Sequence, residues 1–135
     1  MSIYSAATQT LSDTVETALT YDTISHDPAG FFSLGSPGQL TVPAGRAGTY
    51  LVLAQVAPVV FPGTATIVLR LYQQGTLVAA SAQFAASATL RLQVAKYLTV
   101  ADGDVIVMKV LITEGVATHD IAGGVGATWL QLAGV

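Results

Sequence analysis

The clearest regularity along the chain is an alternation of apolar and polar positions with a period of two. Ile67, Leu69 and Leu71 alternate with Val68, Arg70 and Tyr72, and Leu90, Leu92 and Val94 alternate with Thr89, Arg91 and Gln93. Successive side chains of a strand point to opposite sides, so each run predicts a strand with one buried and one outer face. Enrichment in Val, Ile, Thr and Tyr favours strand over helix. Two further runs, Tyr50 to Val56 and Val105 to Ile112, are apolar on both faces apart from Gln55 and Lys109. Such runs suit strands covered on both sides. In a lone sandwich the outer faces meet water, so these runs point to cover by another subunit.

Turn chemistry separates the runs: Pro37-Gly38, Pro43-Ala44-Gly45, Pro62-Gly63, Gln74-Gly75, Asp102-Gly103 and Gly123-Gly124. Proline lacks a ladder donor and glycine tolerates positive φ, so both interrupt strands. Asp102-Gly103 reads as a hairpin signal, and Gly123-Gly124-Val125-Gly126 as a flexible connection into the last strand. Ser12 to Leu19 is the one helical candidate, since Asp13 and Glu16 have capping-box spacing. Its β-branched residues favour a loop or a single turn. No linker, repeat or low-complexity tract divides the chain, so residues 1–135 read as one all-β domain, a sandwich or barrel.

Composition adds a constraint. Hydrophobic residues make up 52% of the chain and charged residues 10%, which calls for a packed core rather than disorder. A compact monomer of this mass exposes roughly 6,600 Å², and a soluble surface is usually about 25–35% charged residues. The chain cannot supply that, so part of its surface is expected to face other subunits. The mean hydropathy of +0.61 raises a membrane reading, but a spanning helix needs about 20 apolar residues in a row. Leu51 to Phe61 is interrupted by Gln55 and Pro58, and Val105 to Ile112 carries Lys109. Five basic against eight acidic residues, with no basic cluster, speak against nucleic acid as a partner. The absence of cysteine and asparagine rules out disulfides, thiolate metal sites and N-glycosylation sequons. The opening Met-Ser-Ile-Tyr-Ser-Ala lacks the basic start and apolar run of a signal peptide, so the chain is expected to be made and assembled in a cytoplasm.

Candidate chemistry is sparse. His26-Asp27 and His119-Asp120 invite a metal or acid–base reading. Zinc, however, needs three or four converging ligands, and strand neighbours diverge. Asp102 and Asp104 flank a glycine and are candidate calcium ligands, with an Asx-type turn the favoured reading. No Gly-x-Ser-x-Gly, nucleophilic cysteine, phosphate-binding loop or facing carboxylate pair is present. No catalytic residue, cofactor or metal is expected, and the chain is read as a non-enzyme. Tyr72, Phe61 and Phe84 are candidate exposed aromatics for a sugar or protein partner.

The order of the segments resembles the globular head of complement component 1q and the related tumour necrosis factor jelly roll. The matching pieces are Tyr4-Ser5-Ala6, Leu19 to Thr23, Gly30-Phe31-Phe32-Ser33, and Leu40 to Pro43 leading to Gly48-Thr49-Tyr50. They continue with Val68 to Leu71 before Gln74-Gly75, then Val100 to Val105, and close on Thr128 to Leu132. The chain departs from the family in having Gln74 where the hairpin has asparagine, and in lacking a collagen stalk. The resemblance implies a jelly-roll β-sandwich of two antiparallel sheets forming a homotrimer. It places Tyr50, Val52, Ala54 and Val56 in the core, and Leu51, Leu53, Gln55, Arg91, Gln93, Tyr97, Trp129 and Gln131 at the trimer interface, with a polar axis lined by Gln55, Gln93 and Gln131. Similar domains occur in bacteriophage structural proteins. The functional expectation is therefore a virion protein, assembled in the host cytoplasm, that decorates a capsid or forms part of a fibre. Residues Met1 to Thr10 would drape over or pair with that assembly. The alternative is a receptor- or carbohydrate-binding tip that recognises a host glycan.

Overall fold

A computed structural model of the chain describes residues 1–59, 65–81, 84–85, 90–113 and 118–135. The described residues form strands and no helix. One sheet holds β1 (Ser2–Tyr4), β4 (Thr23–His26), β6 (Gly48–Val56), β10 (Leu92–Val100) and β13 (Trp129–Gly134), in the order β10-β6-β13-β1-β4. The second holds β3 (Thr17–Ala18), β5 (Leu40–Thr41), β7 (Thr66–Gln73), β8 (Thr76–Ala80), β9 (Phe84–Ala85) and β11 (Val105–Thr113), around the path β3-β11-β7-β8. A two-stranded ribbon pairs β2 (Gln9–Ser12) with β12 (Thr118–Ile121). All pairings are antiparallel. The chain passes repeatedly between the sheets, which makes the domain a jelly roll.

The core lies between the sheets and follows the alternation. Val52, Ala54 and Val56 meet Leu92, Val94, Leu98, Leu130 and Leu132 from one side, and Ile67, Leu69, Leu71, Ile106, Met108, Val110 and Ile112 from the other. Tyr50 packs on this core half-buried, edge-on to Phe31 at 5.4 Å, and its hydroxyl donates to the Arg46 carbonyl. The accessible surface is 6193 Å², close to the roughly 6,600 Å² expected for this mass. Unusual compactness therefore does not relieve the shortage of surface charge.

Several expectations need correction. Residues 12–19 hold no helix: β2 ends at Ser12, Thr14 turns with a φ of 59°, and β3 follows. The Asp102-Gly103 turn joins β10 to β11, which lie in different sheets, so it is a sheet-to-sheet crossing and not a hairpin. The two doubly apolar runs also fall in different sheets, as β6 and β11. The outer positions of β11, Val105, Val107, Lys109 and Leu111, are half-buried within the chain. The N-terminal segment is not free to drape elsewhere, because β1 is an interior strand between β13 and β4, and β2 pairs with β12. Nor is the glycine-rich run loose. Gly124 N–H donates to the Ser5 carbonyl at 2.6 Å, and Ala127 N–H donates to the Gly124 carbonyl.

Candidate subunit interface

The outward face of the five-stranded sheet is built by cross-strand neighbours, which in antiparallel pairing stand side by side on one surface. The register aligns Gln93, Gln55, Trp129 and Tyr4 in one row, and Ala95, Leu53, Gln131 and Ser2 in the next. Tyr97, Leu51 and Ala133 make a third. Seven of the eight interface residues named from sequence stand in these rows, and Arg91 extends the same alternation one step beyond β10. Leu51, Leu53, Trp129 and Gln131 are half-buried in the single chain, Arg91 and Gln93 are exposed, and Tyr97 is 62% exposed. A shallow hollow lies between Leu51, Ala95, Lys96 and Tyr97. Among the described residues of these rows and their extension, Arg91 is the one permanently charged side chain.

Gln55 is placed differently from expectation. It is outward by register yet only 6% exposed. Its Nε2 donates to the carbonyls of Gly126 and Ala127 at 2.8 and 2.9 Å, and its Oε1 accepts from Gln93 Nε2 at 2.8 Å. Gln55 thus ties the glycine-rich segment to the sheet, which uses both ends of its amide inside the chain. Gln131 Nε2 in turn reaches Ser2 Oγ at 3.4 Å. The three glutamines do not present a common set of free amides; Gln93 is the exposed one.

The remaining polar candidates hold the fold together. His119 is buried, with Nε2 2.9 Å from Asp13 Oδ1, whereas the adjacent Asp120 accepts from the Thr10 hydroxyl at 2.7 Å. His26 is exposed, and Asp27 accepts from the N–H groups of Phe31 and Phe32. Asp102 accepts from the three successive N–H groups of Gly45, Arg46 and Ala47 at 2.7–3.0 Å, and these bonds hold its carboxyl below the usual range. Asp104 instead accepts from Gln73 Nε2 and Ala101 N–H. The two carboxylates therefore serve different partners rather than a shared cation site. Among the described residues no group of three His, Cys, Asp or Glu side chains gathers in one place.

Tyr72 is not a free aromatic. Its hydroxyl donates to Glu16 Oε1 at 2.6 Å, beside the Arg70–Glu16 ion pair at 2.5 Å, and the Lys109 ammonium lies 4.6 Å from its ring centre. Burial pushes Glu16 up, but the bonds from Tyr72 and Arg70, with the charges of Arg70 and Lys109, more than offset it and leave the carboxyl below the usual range. Phe61 and the Phe84 side chain lie outside the described residues. Sequence reasoning missed most of these clamps because their partners are distant along the chain. Asp102 and Gly45, for instance, are 57 positions apart.

The strand order makes this chain a jelly roll, and its likeness in fold is to jelly rolls of the tumour necrosis factor type. Among solved structures the chain is similar to murine APRIL at pH 8.0, with a TM-score of 0.71 and 16% identity over 99% of this chain and 96% of that one. It is also similar to Eiger TNF from S. frugiperda, with a TM-score of 0.69 and 12% identity over 99% and 90%. At such identities the likeness establishes the fold. No family model and no curated protein matches the sequence.

Proposed function

We propose that the chain is a non-enzymatic structural protein that works as a homotrimer, and that it belongs to a virus particle, as a capsid decoration or fibre component assembled in the host cytoplasm. The observation that carries the self-association is the outer face of the five-stranded sheet. Three strands present Leu51, Leu53, Trp129, Gln131, Ala95 and Tyr97 side by side, with charge at the Arg91 margin and at Lys96 beside the hollow. A contiguous surface poor in charge and rich in aromatic and aliphatic groups is the composition of an interface centre. A closed ring of three uses one such surface per copy, and the resemblance to the tumour necrosis factor jelly roll supports three as the number. Adhesion to a larger assembly then comes from three equivalent contacts, which raise effective affinity without a strong single site.

The virion reading rests on the resemblance to phage structural domains and on a sequence without cysteine or asparagine. Mass spectrometry of purified virus particles from the source tests it. The chain is expected at a copy number divisible by three, and particles lacking it would end the reading.

A further inference from the structure

The chain contains a single Asp-Gly pair, Asp102-Gly103, and no asparagine. Aspartate rearranges most readily before glycine, where no side chain crowds the attacking backbone nitrogen. The other aspartates are poor candidates. Thr14, Thr23, Val105 and Ile121 follow four of them with β-branched side chains, and Pro28 follows Asp27 without an N–H. In the rearrangement the Gly103 nitrogen attacks Cγ of the protonated Asp102 carboxyl. An N–Cγ bond forms, and the carboxyl hydroxyl leaves as water with the amide proton. Water then opens the resulting cyclic imide. Breaking its N–Cγ bond restores aspartate, whereas breaking the bond to the main-chain carbonyl leaves isoaspartate, with the backbone routed through Cγ.

The fold opposes each requirement of this step. The nucleophile is engaged, since Gly103 N–H donates to the Val42 carbonyl at 2.8 Å. The electrophile is held as well. Asp102 accepts from the N–H groups of Gly45, Arg46 and Ala47. These bonds favour the ionised carboxylate, which has no hydroxyl to lose. The turn then sets the geometry. Asp104 N–H donates to the Ala101 carbonyl at 3.1 Å, and Gly103 has a φ of 85°, as in a type II turn. Such a turn points the Gly103 nitrogen away from the Asp102 Cβ, whereas ring closure needs the two eclipsed about the Cα–C bond.

We propose that Asp102 is the isoaspartate site of this chain, silenced by the fold, and that rearrangement there releases the 43–47 loop irreversibly. Ring closure requires the Gly103–Val42 bond and the grip on the three amides to open together, so its rate follows the population of that open state. Isoaspartate adds one carbon to the main chain of the crossing and sets its free carboxylate directly on Cα. That carboxylate cannot meet the three amides while Gly103 returns to Val42. The freed loop carries the Arg46 carbonyl that accepts from the Tyr50 hydroxyl, so the loss reaches the edge of the core. The inference concerns the crossing between the sheets and does not depend on the proposed trimer or virion.

The test keeps the full chain in warm, mildly acidic buffer, folded or in urea, and locates isoaspartate by peptide mass spectrometry with enzymatic methylation. Isoaspartate is expected at Asp102 in urea, and at least about a hundredfold more slowly in the folded chain. Gly45→Ala is strained by the φ of 75° at that position, although its Cβ meets nothing. It is expected to speed rearrangement of the folded chain about tenfold and to leave the rate in urea unchanged. Hydrogen exchange of the Gly103 amide, which needs no variant, is expected to be slowed about as much as rearrangement. In the purified isoaspartyl chain the Gly45, Arg46 and Ala47 amides are expected to exchange faster. Equal rates with and without urea, isoaspartate arising first at another aspartate, or a freely exchanging Gly103 amide would each overturn the proposal. So would a Gly45→Ala chain that rearranges no faster, or loop amides that exchange as slowly after rearrangement as before.

Discussion

Tyr21 is sealed in the core, edge-on to Phe32 at 6.5 Å, and its hydroxyl finds no partner among the described residues. Burial pushes that hydroxyl well above the ordinary phenol range. An unsatisfied buried hydroxyl costs about 1–3 kcal/mol, so Tyr21→Phe is expected to raise unfolding stability by about 1 kcal/mol in urea titration. A loss of that size would mean that the hydroxyl is bonded. The aspartates act in the opposite sense. Backbone N–H groups hold Asp22 and Asp102 below the usual carboxylate range, Ala6 N–H contributing most to the first and Gly45 N–H to the second. A depressed folded-state pKa gives stability that is present above the unfolded value of about 4 and lost as pH falls through the folded value. Asp102→Asn is accordingly expected to flatten the fall in stability on acidification below about pH 4, measured by denaturation across pH. An unchanged slope would contradict the clamp. At this scale the sequence was partly legible. The Gln74-Gly75 hairpin was readable, and Gln74 takes the left-handed conformation (φ 49°) that asparagine occupies more easily, while its Oε1 accepts from Val105 N–H. The aspartate clamps were not readable, because their partners are backbone groups brought near only by the fold.

The glycine-rich segment between β12 and β13 shows how an element's role can be hidden from composition. A Cβ placed on Gly123 would stand 2.3 Å from the Ala6 carbonyl oxygen and 2.6 Å from that of Ala7. The glycine is there for close approach of two backbones, and the segment is fastened by Gln55, by Ser5 and by Thr128, whose hydroxyl donates to the Ala122 carbonyl. Gly123→Ala is expected to cost about 1–3 kcal/mol through forced backbone displacement, read as a lower denaturation midpoint. A neutral outcome would mean that the segment is as loose as its composition suggests. Strands with strict alternation, such as β7 and β10, were legible because one face meets the core. The crossing at Asp102-Gly103 and the interior place of β1 were not, since both depend on which sheet receives each strand, and local pattern carries no such information.

For the whole molecule, charge and shape lead to the same surface. The described carboxylates fasten loops and ribbons, Arg70 and Lys109 gather on Glu16 at the second sheet, and the outer face of the five-stranded sheet is left almost uncharged. Residues of that face were legible from alternation once β6, β10 and β13 were recognised. The bonding of Gln55 was not legible, because it depends on the packed glycine segment. The account's central claim is that this face closes a ring of three chains. Its most direct test is the solution mass by light scattering of the unaltered chain beside Leu53→Arg. Three times the 13.8 kDa chain mass is expected for the first and a single chain for the second. A stable monomer before substitution, or a trimer unaffected by an arginine at the centre of the face, would contradict it.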